Sequence, residues 1–391
     1  MSNVTISDAI RYIGVDDKDI DLFESQYIVP NGVSYNSYVI LDEKIVVMDT
    51  VDARKTDEWL EKLERELDGK TPDYLVIQHM EPDHSASIPA FLKKYPKATV
   101  VSTAKGFQFM EQFFPEFFAG QGLPAEQRIV AANDGVLELG QHSLHFVYAP
   151  MVHWPEVMMT YEATEKILFA ADGFGKFGAL DAEEEWADEA RRYYIGIVGK
   201  YGPQVQAVLK KAAGLDIQTI CSLHGPVLKE NLGFYLEKYD RWSSYQPEES
   251  GVVIAYASVY GNTRNAAEYL ADVLQEKGQK TVLYDLARCD KAKAVADAFR
   301  YDRLVLAGIT YNGDLFPCMR SFIEGLTERN YQNRKVAIIE NGTWAPMAGK
   351  LILGMFEKSK NLTFTETTVS IKSAMNEQNK GEIGKLAEEL C

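Results

Sequence analysis

Past residue 250 the apolar positions fall into a regular beat. Short runs at 252–257, 281–286, 303–308 and 335–340 predict buried strands. Amphipathic stretches at about 263–277, 317–328 and 346–359 predict helices between them, with a fifth strand near 364–371 and a closing helix near 376–390. Strands alternating with helices predict a doubly wound, five-stranded parallel sheet covered on both faces, with ligands outside the carboxyl ends of its strands. The first 250 residues are less regular. "SYVILDEKIVVMDTV" predicts a hairpin, "TDEWLEKLERELDG" an amphipathic helix stopped by Gly69, and "PDYLVIQ" a strand; further strands are expected at 98–102, 135–139, 143–148 and 166–170. That is mixed α/β with strands enough for a two-sheet core. The polar stretch "SSYQPEESG", residues 243–251, separates the two patterns and predicts domains at 1–249 and 250–391.

A chain of 391 residues suits two cores rather than one. No apolar run reaches the roughly 18 residues of a membrane span, and "MSNVTISDAIRYIGVDD" lacks the basic start and apolar stretch of a signal peptide. These features predict a cytoplasmic protein that does not enter a membrane. The net charge of −16 is unevenly spread: residues 251–391 carry 18 Lys+Arg against 17 Asp+Glu, and residues 1–250 carry 23 against 40. An acidic first half argues against nucleic-acid binding, which needs a basic face, and leaves carboxylates available for cations. Cys221, Cys289, Cys318 and Cys391 form no C-x-x-C pair, so a metal here must be held by nitrogen and oxygen.

Those ligands are concentrated. "LVIQHMEPDHSASIP", residues 75–89, carries His79, Glu81, Asp83 and His84 just past a predicted strand. Alternation at 79, 81 and 83 is expected to put three of them on one side, with His84 joining from the turn. "APMVHWPEVMM" presents His153, "LFAADGFG" presents Asp172 and "ICSLHGPV" presents His224, each again where a strand is predicted to end. Seven ligands exceed one tetrahedral zinc and suit two metals bridged by Asp172. His142 and His145 fall in a predicted strand and read as structural.

The arrangement resembles the metallo-β-lactamase superfamily, whose hydrolases carry H-x-H-x-D-H and bind zinc. Here Glu81 replaces the second histidine, and a harder, more anionic site favours iron that changes oxidation state. That substitution marks the flavodiiron proteins, which join this domain to a flavodoxin-like one. Residues 251–391 have the matching loops. "YASVYGNTRNAA" resembles a flavodoxin phosphate loop, in which Ser258, Val259, Tyr260, Gly261, Asn262 and Thr263 lead into a helix whose N–H groups can hold a phosphate. "GITYNGDLFP" supplies Thr310, Tyr311, Asn312 and Gly313, and "ENGTWAPMAG" supplies Asn341, Gly342, Thr343 and Trp344; Tyr311 and Trp344 are the candidates to flank an isoalloxazine ring. The cofactor is expected to be FMN, because no G-x-G-x-x-G occurs.

The resemblance spans nearly the whole chain. It implies an αββα sandwich of metallo-β-lactamase type followed by the flavodoxin-like sheet. It also implies two irons, the one nearer a flavin on His79, Glu81, His153 and Asp172, the other on Asp83, His84, Asp172 and His224. One of Tyr193 and Tyr194 is expected to reach the pocket. The implied activity is reduction of dioxygen to water, of nitric oxide to nitrous oxide, or of both, with FMN relaying electrons from rubredoxin or a similar small carrier. Two departures stand out: the third flavin loop reads "ENGTW" rather than a Ser/Gly-rich sequence, and Ser25 and Gln26 stand where some members carry a histidine. Domains of this size have radii of about 14 and 18 Å, so cofactors at the ends of two sheets are far apart unless the mouths face each other. A head-to-tail homodimer, or a larger even oligomer, is the expected solution. The competing reading is a zinc hydrolase of metallo-β-lactamase type fused to a flavodoxin module.

Overall fold

The hairpin predicted at 37–51 forms as its alternation dictates, Tyr38–Ile40 pairing antiparallel with Val46–Met48. It sits inside a six-stranded sheet ordered Ile10–Tyr12, Tyr38–Ile40, Val46–Met48, Tyr74–Val76, Thr99–Ser102, Arg128–Val130. A second sheet is ordered Val136–Glu138, Ser143–Tyr148, Met158–Glu162, Ile167–Phe169, Thr219–Cys221. The inward side chains of the two sheets, among them Tyr38, Ile40, Met48, Val76, Phe146, Met158 and Phe169, form one apolar layer. Removing a fully buried aromatic from such a layer costs about 3–5 kcal/mol, which makes Tyr38 and Phe169, packed edge to face at 5.3 Å, principal members of it. This computed structural model describes residues 4, 6–118 and 123–391. By internal contacts the chain divides into two units, Met1–Tyr194 with Pro203–Tyr239, and Ile195–Gly202 with Asp240–Cys391.

The hydrophobic pattern did not reveal Met158–Glu162, which is buried along its whole length and so lacks alternation. His142 lies just ahead of Ser143–Tyr148. Its Nδ1 is 2.7 Å from Asp42 Oδ2 and its Nε2 3.3 Å from Glu165 Oε1. Burial opposes its protonation, but the hydrogen bonds to the two carboxylates outweigh it, and its pKa is raised. A raised histidine pKa adds stability that is fully present below the unfolded value of about 6.5 and is lost as pH rises through the folded value. The urea midpoint of the first unit should therefore fall between pH 6 and pH 9, and His142→Gln should flatten that fall. An unchanged slope in the variant would remove His142 from the account.

In the second unit five strands lie parallel in the order Thr281–Asp285, Glu249–Tyr256, Tyr301–Tyr311, Arg334–Asn341, Leu362–Ile371. That is the flavodoxin order, whose switch point falls between the first and third strands in sequence. The two-residue strand Asp314–Leu315 folds back on Tyr301–Tyr311. Helix Asn262–Glu276 turns Ala266, Leu270 and Leu274 into the core, and helix Glu377–Leu390 adds Ile383, Leu386 and Leu390 to the same side. A helix that the pattern did not predict, Lys291–Arg300, completes the alternation. Asp290 caps it by accepting from Ala292 N, and its buried face is largely alanine, too weakly apolar to register as a stripe. Among the described residues no helix is long and apolar enough to cross a membrane.

Candidate metal centre

The strand Tyr74–Val76 ends before His79, and Pro82 opens a one-turn helix, Pro82–Ser85. The expected alternation of 79, 81 and 83 therefore does not hold. Period-two geometry stops with the strand, and the fixed φ of a proline at the first helical position starts a different periodicity. His79 and Glu81 turn toward one point, Asp83 and His84 toward another. Three further loops complete the two groups. His153 follows Ser143–Tyr148, Asp172 follows Ile167–Phe169, and His224 follows Thr219–Cys221; the last two strands are parallel, so both loops leave the same edge.

The first group is His79, Glu81, His153 and Asp172, and the second is Asp83, His84 and His224. In the first, Glu81 Oε2 lies 3.2 Å from His79 Nε2 and 3.0 Å from His153 Nε2. In the second, Asp83 Oδ2 lies 3.2 Å from His84 Nε2 and 3.3 Å from His224 Nε2, and the two Nε2 atoms are 2.9 Å apart. Asp172 faces both groups with different oxygens. Its Oδ2 is 3.3 Å from His79 Nε2 and 3.1 Å from His153 Nε2, while its Oδ1 is 3.4 Å from His84 Nε2 and 3.8 Å from His224 Nε2.

The loops that carry these groups are bent into left-handed backbone at non-glycine residues: Met151 has φ 65°, Ala171 48° and Phe174 65°. Such strain persists where the surroundings enforce it and concentrates at functional sites. The imidazoles are fixed from behind. His79 Nδ1 is 2.8 Å from Glu156 Oε1, which also accepts from Met80 N, and His224 Nδ1 donates to Ser34 O at 2.7 Å. Both rings thus present Nε2 forward, the usual orientation of a metal-binding histidine.

Without a cation the carboxylates draw protons onto the histidines. Burial opposes this at His84, but the charge of Asp83 and the close approach of the Asp172 and Asp83 carboxylates push its pKa up to about 10. At His153 burial is likewise outweighed, chiefly by Asp172 and Glu81, and the value rises to about 9. Asp172 is held well below the usual carboxylate range, because the surrounding histidines outweigh its burial. All four carboxylate oxygens of Asp83 and Asp172 are buried without a hydrogen-bond partner. Buried anionic oxygens in that condition are costly unless paired, and divalent cations between the groups would pair them. The donor set of imidazole and carboxylate, with no thiolate, fits redox-active first-row metals.

Two residues next to the ligands escaped the sequence reading. Glu156 acts on His79, 77 positions upstream, so no local spacing could reveal it. Glu24, not Ser25 or Gln26, reaches the first group. Glu24 and Ser25 have φ 48° and 55°, Gln26 N closes the turn on Phe23 O at 3.0 Å, and Gln26 Nε2 holds Glu24 Oε2 at 3.0 Å. Partial desolvation of the carboxyl of this otherwise exposed residue, and then the Glu81 charge, push Glu24 up to about 7. Of the two tyrosines, Tyr193 lies beside the centre, its ring 5.4 Å from that of His224. Tyr194 packs instead on Tyr239, with ring centroids 5.1 Å apart.

The second unit has a cleft of about 400 Å³ at the carboxyl ends of its strands. It is lined by Ser258, Val259, Tyr260, Asn262 and Thr263, by Thr310, Tyr311, Asn312 and Gly313, and by Asn341, Gly342, Thr343 and Trp344, with Ser373 added from a fourth loop. Gly261 is not in the lining; its φ of 94° turns the loop into helix Asn262–Glu276. The Thr310 hydroxyl is already engaged, accepting from Met347 N at 2.8 Å and Ala348 N at 3.1 Å. Tyr260 and Trp344 are 93% and 89% exposed, leaving their faces open to a planar ring.

Comparison with known proteins agrees with both halves. A family model described as ODP family beta lactamase matches residues 33–225, and one described as flavodoxin domain matches residues 253–361. The solved rubredoxin oxygen:oxidoreductase of Desulfovibrio gigas superposes with a TM-score of 0.90 at 25% identity, covering 99% of this chain and 97% of that one. The flavodiiron protein of Giardia intestinalis gives 0.90 at 25% identity, covering 100% and 97%. The chain belongs to the flavodiiron proteins. It is accordingly a diiron oxidoreductase with a flavodoxin module, and the family's FMN and non-haem diiron centre meet residues that fit them. An anaerobic nitric oxide reductase flavorubredoxin of Vibrio vulnificus is 27% identical over 87% of this chain and 70% of its own length. Diflavin flavoprotein A 1 of Synechocystis is 33% identical over 70% of this chain and 48% of its own length. In this flavodiiron protein Glu156→Ala should lower metal affinity about 10–100-fold, the usual cost of losing a group that orients a ligand. Competition with a chelator measures it, and wild-type affinity would remove Glu156 from the site.

Proposed function

We propose that this flavodiiron protein reduces dioxygen to water, nitric oxide to nitrous oxide, or both. In this reading residues 1–249 hold two irons and residues 250–391 hold FMN. The observation that carries the reading is the two-sided contact of Asp172, whose Oδ2 faces His79 and His153 and whose Oδ1 faces His84 and His224. One carboxylate serving two ligand sets is what a dinuclear site requires. His79, Glu81, His153 and Asp172 would hold one iron, and Asp83, His84, His224 and Asp172 the other. When bound, the irons supply reducing electrons to a gas and FMN supplies single electrons to the irons.

The protein's own groups set the conditions for that chemistry. Glu156 and Ser34 orient His79 and His224. Tyr193, 1% exposed, helps keep water from the second ligand set, and its hydroxyl stays protonated because burial and the nearby carboxylates raise its pKa. The peptide N–H groups that begin helix Asn262–Glu276 would receive the FMN phosphate, and Tyr311, Tyr260 and Trp344 would flank the ring.

The names of the relatives support the substrates and the donor: one is a rubredoxin oxygen:oxidoreductase and another an anaerobic nitric oxide reductase. A rubredoxin-like carrier is the proposed donor. A head-to-tail homodimer, in which each flavin meets the partner's metal pair, belongs to the same reading; sedimentation that finds only monomer would remove it. The activity is tested by following dioxygen and nitric oxide in separate anaerobic cells with chemically reduced rubredoxin. Consumption of at least one gas, dependent on both FMN and iron, is expected. Consumption of neither by the fully loaded protein would overturn the proposal.

A further inference from the structure

We infer that Lys176 and Glu184 form a clamp that positions His224 against Asp172 and so governs retention of the second metal. This rests on the two-metal reading above. Lys176 is 5% exposed and lies on the loop that begins at Asp172. Its stem crosses Gly225, the residue after His224, so closely that a Cβ at 225 would stand 2.7 Å from Lys176 Cγ. Its ammonium ends 2.5 Å from Glu184 Oε1. Glu184 in turn accepts from Asn31 Nδ2 at 2.8 Å through its other oxygen. The carboxylate sits over Gly178, where a Cβ would meet Glu184 Oε1 at 2.0 Å. Both glycines have left-handed backbone, φ 80° at 225 and 99° at 178.

Two glycine cradles and a half-buried ion pair therefore tie three segments together. The Asp172 loop is also stitched to the segment before Ser34, through Gly178 N to Gly32 O at 3.0 Å and Ala179 N to Asn31 O at 2.8 Å. Ser34 is the residue whose carbonyl holds His224 Nδ1. The clamp thus fixes both sides of the Asp172–His224 contact, which at 3.8 Å is the widest that Asp172 makes with a histidine. His79, Glu81 and His153 stand on other loops, so the first metal should respond less. Lys176 does not touch the reacting atoms; it is a positioning residue acting through the two loops.

The test uses the full-length, FMN-loaded protein stripped of metal and titrated anaerobically with cobalt(II), followed by its visible d–d absorption and by chelator competition. The wild type should take two equivalents. Lys176→Met and the near-isosteric Glu184→Gln should keep the first equivalent near wild-type affinity and weaken the second about 10-fold or more, while Lys176→Arg, which retains charge and reach, restores most of it. If Lys176→Met does not fold, Glu184→Gln decides alone. Wild-type affinity for both equivalents in a folded variant would overturn the clamp. Equal weakening of both would also overturn it, because that is the mark of a general structural prop. A wild type that takes up fewer than two equivalents would overturn the two-metal reading itself.

Discussion

Asp172→Ala should empty both metal positions at once. No other residue of the centre faces both ligand sets, and its two oxygens divide between them, Oδ2 toward His79 and His153 and Oδ1 toward His84 and His224. Removing the carboxylate leaves Glu81 as the only anion of the first set and Asp83 as the only anion of the second. It also leaves buried histidines without the charge that now compensates them. The loss in affinity should exceed the roughly 10–100-fold expected for orienting groups such as Glu156. His84→Ala is the control, since His84 belongs to one set and should cost chiefly one metal. Elemental analysis after dialysis against a weak chelator distinguishes the two variants. An Asp172→Ala protein that keeps both irons, or loses only one, would show that the carboxylate is not a bridge.

Glu81→His should turn an iron site into one that prefers zinc. Glu81 Oε2 stands between His79 Nε2 and His153 Nε2, 3.2 and 3.0 Å away, and is the hard, anionic member of the first set. A histidine there removes a negative charge and leaves three imidazoles with one carboxylate, a set well suited to zinc. Zinc does not change oxidation state, so gas turnover should be lost even where metal content is full. The measurement is the iron-to-zinc ratio after growth with both metals, together with gas consumption. Unchanged iron occupancy with unchanged turnover would deny Glu81 this role.

Much of this was legible in the sequence because the responsible residues are local. The second unit announces itself by a strand–helix beat, and its cleft by three loops at strand ends. The first ligand cluster is visible because His79, Glu81, Asp83 and His84 fall within six positions. Its division into two sets followed from the family resemblance and not from the spacing, because Pro82 replaces strand periodicity by a helical turn. Glu156 and Lys176 were out of reach for another reason. Each works on a residue far away in sequence, His79 and Gly225 respectively, through contacts made only when the loops come together. Glu24 was overlooked in favour of its neighbours, since only the left-handed turn at Glu24 and Ser25 aims the first of them at Glu81. Helix Lys291–Arg300 and strand Met158–Glu162 show the limits of hydrophobic patterning, one being too rich in alanine and the other buried on both faces.

The most direct test of a bridged pair of irons is Mössbauer spectroscopy of the FMN-loaded protein grown on iron-57 and oxidised. The account predicts two irons per chain, both high-spin ferric and antiferromagnetically coupled, with no magnetic splitting in a weak field at liquid-helium temperature. Magnetically isolated ferric ions, or a single iron per chain beside zinc, would contradict it.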